Sequence, residues 1–159
     1  MRRINFKSLA FHLLVPLMLF FIINMLMPDY KDYYEGLVKP APSLPYMAFV
    51  AVWSLMYLLL GVGAYLAEQS NLEDKGNCFK CYFWMFLLSL FWLVLTFGLK
   101  WPFAGLLLTI VLLIMSYITY RKFHKINSIS GKLFIPYLLW LLFLTYYTFG
   151  LWVLNSSSF

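Results

Sequence analysis

The sequence predicts an all-α membrane protein, a bundle of five transmembrane helices forming a single domain. Three observations lead there. Of 159 residues, 64% are hydrophobic, 21% aromatic and 11% charged, with a mean hydropathy of +0.81, and a water-soluble globule of this size cannot hide so much apolar surface. The apolar residues fall in five runs, each about twenty residues long, the length that crosses a hydrocarbon core. The basic residues also sort between the two sides that an odd number of spans creates. Arg2, Arg3, Lys7, Lys75, Lys80, Arg121, Lys122, Lys125 and Lys132 lie on one side, and Lys31, Lys39 and Lys100 on the other. In a bacterial inner membrane the first side is cytoplasmic, which puts the N-terminus inside and the C-terminus outside. The lipid bilayer is thus one partner. Nucleic acid is not expected, because the net charge of +6 is held in short clusters beside apolar runs and not in a continuous basic stripe.

The first span covers residues 8–27. It is longer than a signal-peptide core and no small-residue cleavage site follows it. His12 is its one ionisable group, open to a proton-relay or metal-ligand role or to the plainer state of a neutral imidazole near the headgroups. Pro28 should end this helix. The loop of residues 28–45 carries Tyr30, Tyr33 and Tyr34 among five charged residues and is long for a helix connection, so it reads as a lid over a pocket or as an interfacial tyrosine belt. Pro40, Pro42 and Pro45 stiffen its second half. The second span, residues 46–67, places Trp53, Tyr57, Leu60 or Gly61, and Ala64 on one face. Two rings beside a small-residue gap suit a flat ligand; they equally suit a packed bundle seam.

A polar turn with Glu68, Glu73, Asp74 and Lys75 leads to Cys78-Phe-Lys-Cys81. Such a pair can be a redox disulfide or half of a zinc site, but zinc needs four ligands and His12 and His124 are remote in sequence, so no metal is expected. The third span, residues 79–99, aligns Ser89, Trp92 and Thr96. The tight Lys100-Trp101-Pro102 turn sends the fourth, residues 101–120, back antiparallel. A basic loop with Arg121, Lys122, His124, Lys125 and Lys132 follows, and residues 126–131 carry turn chemistry. The fifth span, residues 133–154, has Pro136 in its first turn and a second aromatic face of Trp140, Phe143 and Tyr147.

Across these spans run Tyr33-Tyr34-x-x-Leu37-x-Lys39-Pro40, Trp53-x-x-x-Tyr57, Gly61-x-Gly63-x-Tyr65-Leu66, Phe97-Gly98, Pro136-Tyr137-x-x-Trp140, Phe143 and Trp152-x-x-Asn155. In order and spacing, over nearly the whole chain, this set resembles the translocator protein family of tryptophan-rich sensory proteins and peripheral-type benzodiazepine receptors. The resemblance implies a pocket at the end roofed by the first loop, binding porphyrins such as protoporphyrin IX or heme, or other planar aromatic molecules. Carried over by position, its lining is Tyr34, Trp53, Tyr57, Ser89, Trp92, Trp140, Phe143 and Leu144. Lys31 and Lys39 would meet the propionates at the mouth. No cofactor is required, and a homodimer is implied although no span contains GxxxG. Ser89 stands where many members carry Asn, Pro42 replaces a loop tryptophan, and Leu144 replaces a small alanine, which narrows the pocket. The sterol-binding run of animal members is absent, its positions holding Tyr147, Phe149 and Val153, so no sterol is expected.

These features leave three classes of function. One is a tetrapyrrole-binding sensor or regulator. Another is a light-dependent porphyrin-degrading enzyme in which the indoles of Trp53 and Trp140 donate or trap electrons; no acid–base or nucleophilic constellation is present for other chemistry. The third is a transporter without proton coupling, because Asp29, Asp32, Glu35, Glu68, Glu73 and Asp74 all fall in loops or at span ends.

Overall fold

The protein is described here by a computed structural model covering residues 4–70 and 75–156. Arg2, Arg3, Glu73 and Asp74, part of the charge reading, lie outside the described residues. Among those residues, five helical stretches are long and apolar enough to cross a membrane: Phe6–Met25, Tyr46–Glu68, Lys75–Gly98, Pro102–Ile126 and Ser128–Asn155. The elements are α1 (Phe6–Met25), α2 (Tyr30–Gly36), α3 (Tyr46–Glu68), α4 (Lys75–Leu93) continuing into a π-helical turn (Val94–Gly98), α5 (Pro102–Ile126), α6 (Ser128–Lys132) and α7 (Ile135–Asn155). In the bundle α1 packs along α3, and α5 lies between α4 and α7.

Local chemistry sets the ends. The Asn5 side chain accepts from the Ser8 backbone N–H at 3.3 Å and starts α1. The helix stops at Met25 with Leu26 as its cap, and Pro28 disfavours helical geometry at Met27, so the helix does not continue. The extended Pro45 delivers the chain into α3. At this same end of the bundle, beneath α2, the π-helical turn widens the backbone. Lys100, at φ 55, reverses the chain into Pro102. Gly105 is required there, since a Cβ would strike the Thr96 side chain on that turn.

Three boundaries differ from the sequence expectation. α4 begins at Lys75, not residue 79, so Cys78 and Cys81 are inside its first turns and form no disulfide. α5 runs on to Ile126, and Arg121, Lys122, His124 and Lys125 ride its end instead of forming a loop. Cations are favoured at a helix C-terminus, where the unpaired carbonyls point. The turn that follows is itself helical, because Asn127 accepts from the N–H groups of Ile129 and Ser130 at 2.9 and 3.1 Å. Ser130 of this α6 donates to the Gly63 carbonyl at 2.5 Å, tying it to α3.

Candidate functional site

The face of α3 that carries Trp53 and Tyr57 looks into the middle of the bundle. Trp53 is 1% exposed. Its ring centroid lies 5.5 Å from Tyr57, 5.6 Å from Trp92 on α4 and 6.0 Å from Trp140 on α7, the last pair edge to face at 89°. One turn earlier, Phe49 bridges outward from this layer, 5.7 Å from Trp140 and 5.1 Å from Tyr34 of α2. The expected lining residues are therefore brought together from four elements. Tyr34, Trp53, Tyr57, Ser89, Trp92, Trp140 and Leu144 are buried, whereas Phe143 is half-buried at the margin, stacked on Trp140 and Tyr147 at 5.4 and 5.5 Å.

The inner end of this chamber is polar. Tyr57 Oη and Ser89 Oγ are 2.9 Å apart, and Ser89 also donates to the Phe86 carbonyl at 2.6 Å. A serine at this position satisfies the tyrosine and its own helix, leaving no amide to reach inward. The walls contrast with it. The indole N–H groups of Trp53, Trp92 and Trp140 are buried without a hydrogen-bond partner, as is the hydroxyl of Tyr137. Buried donors normally find acceptors, so three neighbouring indoles without one set this aromatic cluster apart.

The loop of residues 28–45 carries its own helix, α2, and packs over the aromatic cluster. Phe97, seated by the π-helical turn, lies beneath it 5.0 Å from Tyr30 and 5.6 Å from Tyr34. Tyr34 Oη donates to the Leu44 carbonyl at 2.7 Å and pairs with Tyr147 Oη at 2.9 Å. Burial, then the contact with Tyr147, holds the Tyr34 hydroxyl well above the ordinary tyrosine range, and burial does the same to Tyr30. Both stay neutral. Asn155 clamps the lid's second half, accepting from Val38 N–H and donating to the Val38 carbonyl, both at 2.9 Å. Pro40 rests on Gly150, where a Cβ would come within 2.5 Å of the proline ring. Lys39 is not a free mouth cation: it donates to the carbonyls of Glu35 and Leu37 at 3.1 Å each, over the Tyr34 ring. Lys31 is exposed.

Phe49, Phe20, Phe97 and Tyr147 belong to the chamber but were not expected in its lining. Phe49 was legible as the residue one turn before Trp53, and Tyr147 as the end of the α7 stripe. Phe20 of α1, 5.4 Å from Tyr57, carries no sequence signal, since α1 is apolar all round. His12 sits at the opposite, basic end of the bundle, its Nε2 3.4 Å from Glu68, whose carboxylate also accepts from Ser8. Cys78 and Cys81, three and six residues into α4, are at that end too. Among the described residues, no three of His, Cys, Asp and Glu gather as a metal group.

Five helices long and apolar enough to span a membrane, packed around a buried aromatic cluster, define a polytopic membrane protein. A profile of the TspO/MBR family matches residues 8–153, and the chain belongs to that family. It is 31% identical over 126 residues to the tryptophan-rich protein TspO of Archaeoglobus fulgidus, covering 79% of this chain and 82% of that protein. Protein CrtK of Rhodobacter capsulatus is 26% identical over 128 residues, 79% of this chain and 80% of its own. The tryptophan-rich sensory protein of Cereibacter sphaeroides is 28% identical over 116 residues, with 73% and 71% covered.

Proposed function

We propose that the chamber binds a planar tetrapyrrole, protoporphyrin IX above all, and that the protein acts as a membrane sensor or regulator of porphyrin state. The observation that carries this is the ring of unpartnered indole donors of Trp53, Trp92 and Trp140 within stacked aromatic walls. A macrocycle offers ring faces large enough to replace their mutual contacts and carboxylates able to accept from donors. Heme is a poorer fit, because the named chamber residues include no imidazole or thiolate to hold its iron. The rings touch one another in the closed structure, so binding requires them to part and the α2 lid to lift, breaking the Tyr34–Tyr147 and Asn155–Val38 contacts. Titration of the purified protein with protoporphyrin IX in darkness tests the proposal. Saturable quenching of tryptophan emission is expected, and its absence would refute it.

A second reading, light-dependent degradation of the porphyrin, is favoured by the 6.0 Å edge-to-face pair of Trp53 and Trp140. The same titration under illumination separates the two, since a binding protein leaves the Soret band to bleach as it does in detergent alone. We also propose, from the basic residues at the α1 start and α5 end, that this side faces the cytoplasm of a bacterial inner membrane. Thiol labelling of Ser43→Cys and Ser128→Cys from the two sides, in a Cys78→Ser/Cys81→Ser background, should mark position 43 from outside and position 128 from inside; the reverse pattern would overturn the orientation. A homodimer is proposed on family resemblance.

A further inference from the structure

A groove of about 320 Å³ opens between α1 and α4 in the half of the bundle opposite the lid, divided from the aromatic chamber by Phe86, whose ring lies 5.5 Å from Tyr57. Its walls are apolar, with Phe11, Val15 and Leu19 on α1 facing Phe79, Phe83 and Leu87 on α4. Phe11, Leu19 and Phe83 remain exposed, because α1 packs along α3 and leaves its α4 side open. The basic residues at its end are arranged by helical spacing. Lys7, Phe11, Val15 and Leu19 follow at intervals of four, so the exposed Lys7 lies one turn beyond the α1 lining, and on α4 the exposed Lys80 lies level with Phe79, one turn before Phe83. Among the described residues, the acid at this end is Glu68, which is engaged by Ser8 and His12, and Lys75 donates to its backbone carbonyl at 2.7 Å.

We infer that this groove is a binding site for an anionic phospholipid, one acyl chain lying between α1 and α4 and the headgroup phosphate held by Lys7 and Lys80. An apolar slot open sideways to the hydrocarbon admits a chain without crossing water. Two lysines at its headgroup end supply the charge that distinguishes an anionic lipid from a zwitterionic one. A lipid there also completes the packing of α1, whose buried residues are Pro16 and Phe20. The site is independent of what the chamber binds.

Native mass spectrometry of the full chain, with phosphatidylglycerol and phosphatidylcholine of identical acyl chains competing, tests the assignment. Wild type should retain phosphatidylglycerol preferentially, and Lys7→Gln/Lys80→Gln should lose that preference by about fivefold per lysine. Lys122→Gln/Lys125→Gln, the same charge change on α5, should leave it intact. Val15→Trp, which fills the groove, should remove the bound lipid whatever its headgroup. Leu19→Trp at the rim serves the same purpose if Val15→Trp does not fold. Equal retention of both lipids by wild type, an equal effect of the α5 pair, a full lipid complement in a folded groove-filled variant, or protoporphyrin IX in the groove instead of lipid would each overturn the assignment.

Discussion

Trp53→Phe separates what the indole does by packing from what its N–H does. The ring is bounded by Phe20, Phe49, Tyr57, Trp92, Tyr137 and Trp140. Phenylalanine keeps a ring in that space and withdraws roughly 40 Å² of apolar area, about 1 kcal/mol at ~25 cal/mol per Å². Against this, the Trp53 N–H is buried with no acceptor, and a stranded donor costs about 1–3 kcal/mol that its removal returns. The empty protein should therefore be unchanged in stability or gain up to about 2 kcal/mol over wild type. Binding is different, because a tetrapyrrole acceptor that uses this donor loses a hydrogen bond, and affinity should fall about tenfold, or roughly 1.4 kcal/mol. Trp53→Ala is no substitute, since emptying a site with six ring neighbours should cost about 3–5 kcal/mol of folding stability and confound the binding measurement. Chemical unfolding in detergent gives the first quantity and porphyrin titration the second. A variant destabilised by more than ~2 kcal/mol with unchanged affinity would refute the donor role, because the indole would then be a packing element alone. If the indoles also take part in photochemistry, light-dependent loss of the Soret band should nearly vanish in Trp53→Phe and in Trp140→Phe while binding persists.

Gly61→Ala should destabilise the bundle by about 1–3 kcal/mol, because its Cβ would meet the His12 backbone and push α1 off α3; Gly76→Ala, with open space around it, is the control in the same unfolding experiment. Tyr30 and Tyr34 stay protonated when folded but ionise near pH 10 when unfolded, so above that pH the unfolded state binds fewer protons and stability should fall with rising pH. Tyr34→Phe should flatten the decline measured by unfolding between about pH 9.5 and 11.5; an unchanged slope would mean that the hydroxyl is not shielded. Replacing Cys78 and Cys81 with Ser should leave protoporphyrin IX affinity unchanged, since both lie at the end of α4 remote from the lid, and a large loss in the titration would reopen a redox or metal role for the pair.

Span number, span direction and the sorting of charge follow from the sequence alone, because they depend on the length of apolar runs and on where lysines and arginines fall between them. The stripes Trp53–Tyr57, Ser89–Trp92–Thr96 and Trp140–Phe143–Tyr147 follow as well, since a helix has a fixed period. Which stripes meet does not follow. In a bilayer the outward faces are as apolar as the inward ones, so hydrophobicity cannot say that Phe20 faces Tyr57 while Phe21 faces lipid. That choice rests on how far α1 approaches α3, which Gly61 permits and the sequence does not announce. The lid shows the same limit from the polar side. Asn155 is plain in the sequence as part of a Trp152-x-x-Asn155 pattern, but its reciprocal bonds to Val38 join positions 117 residues apart. The tertiary structure decided that pairing, because a hydrogen bond is specified by distance and direction in space, which helical periodicity does not encode across separate helices.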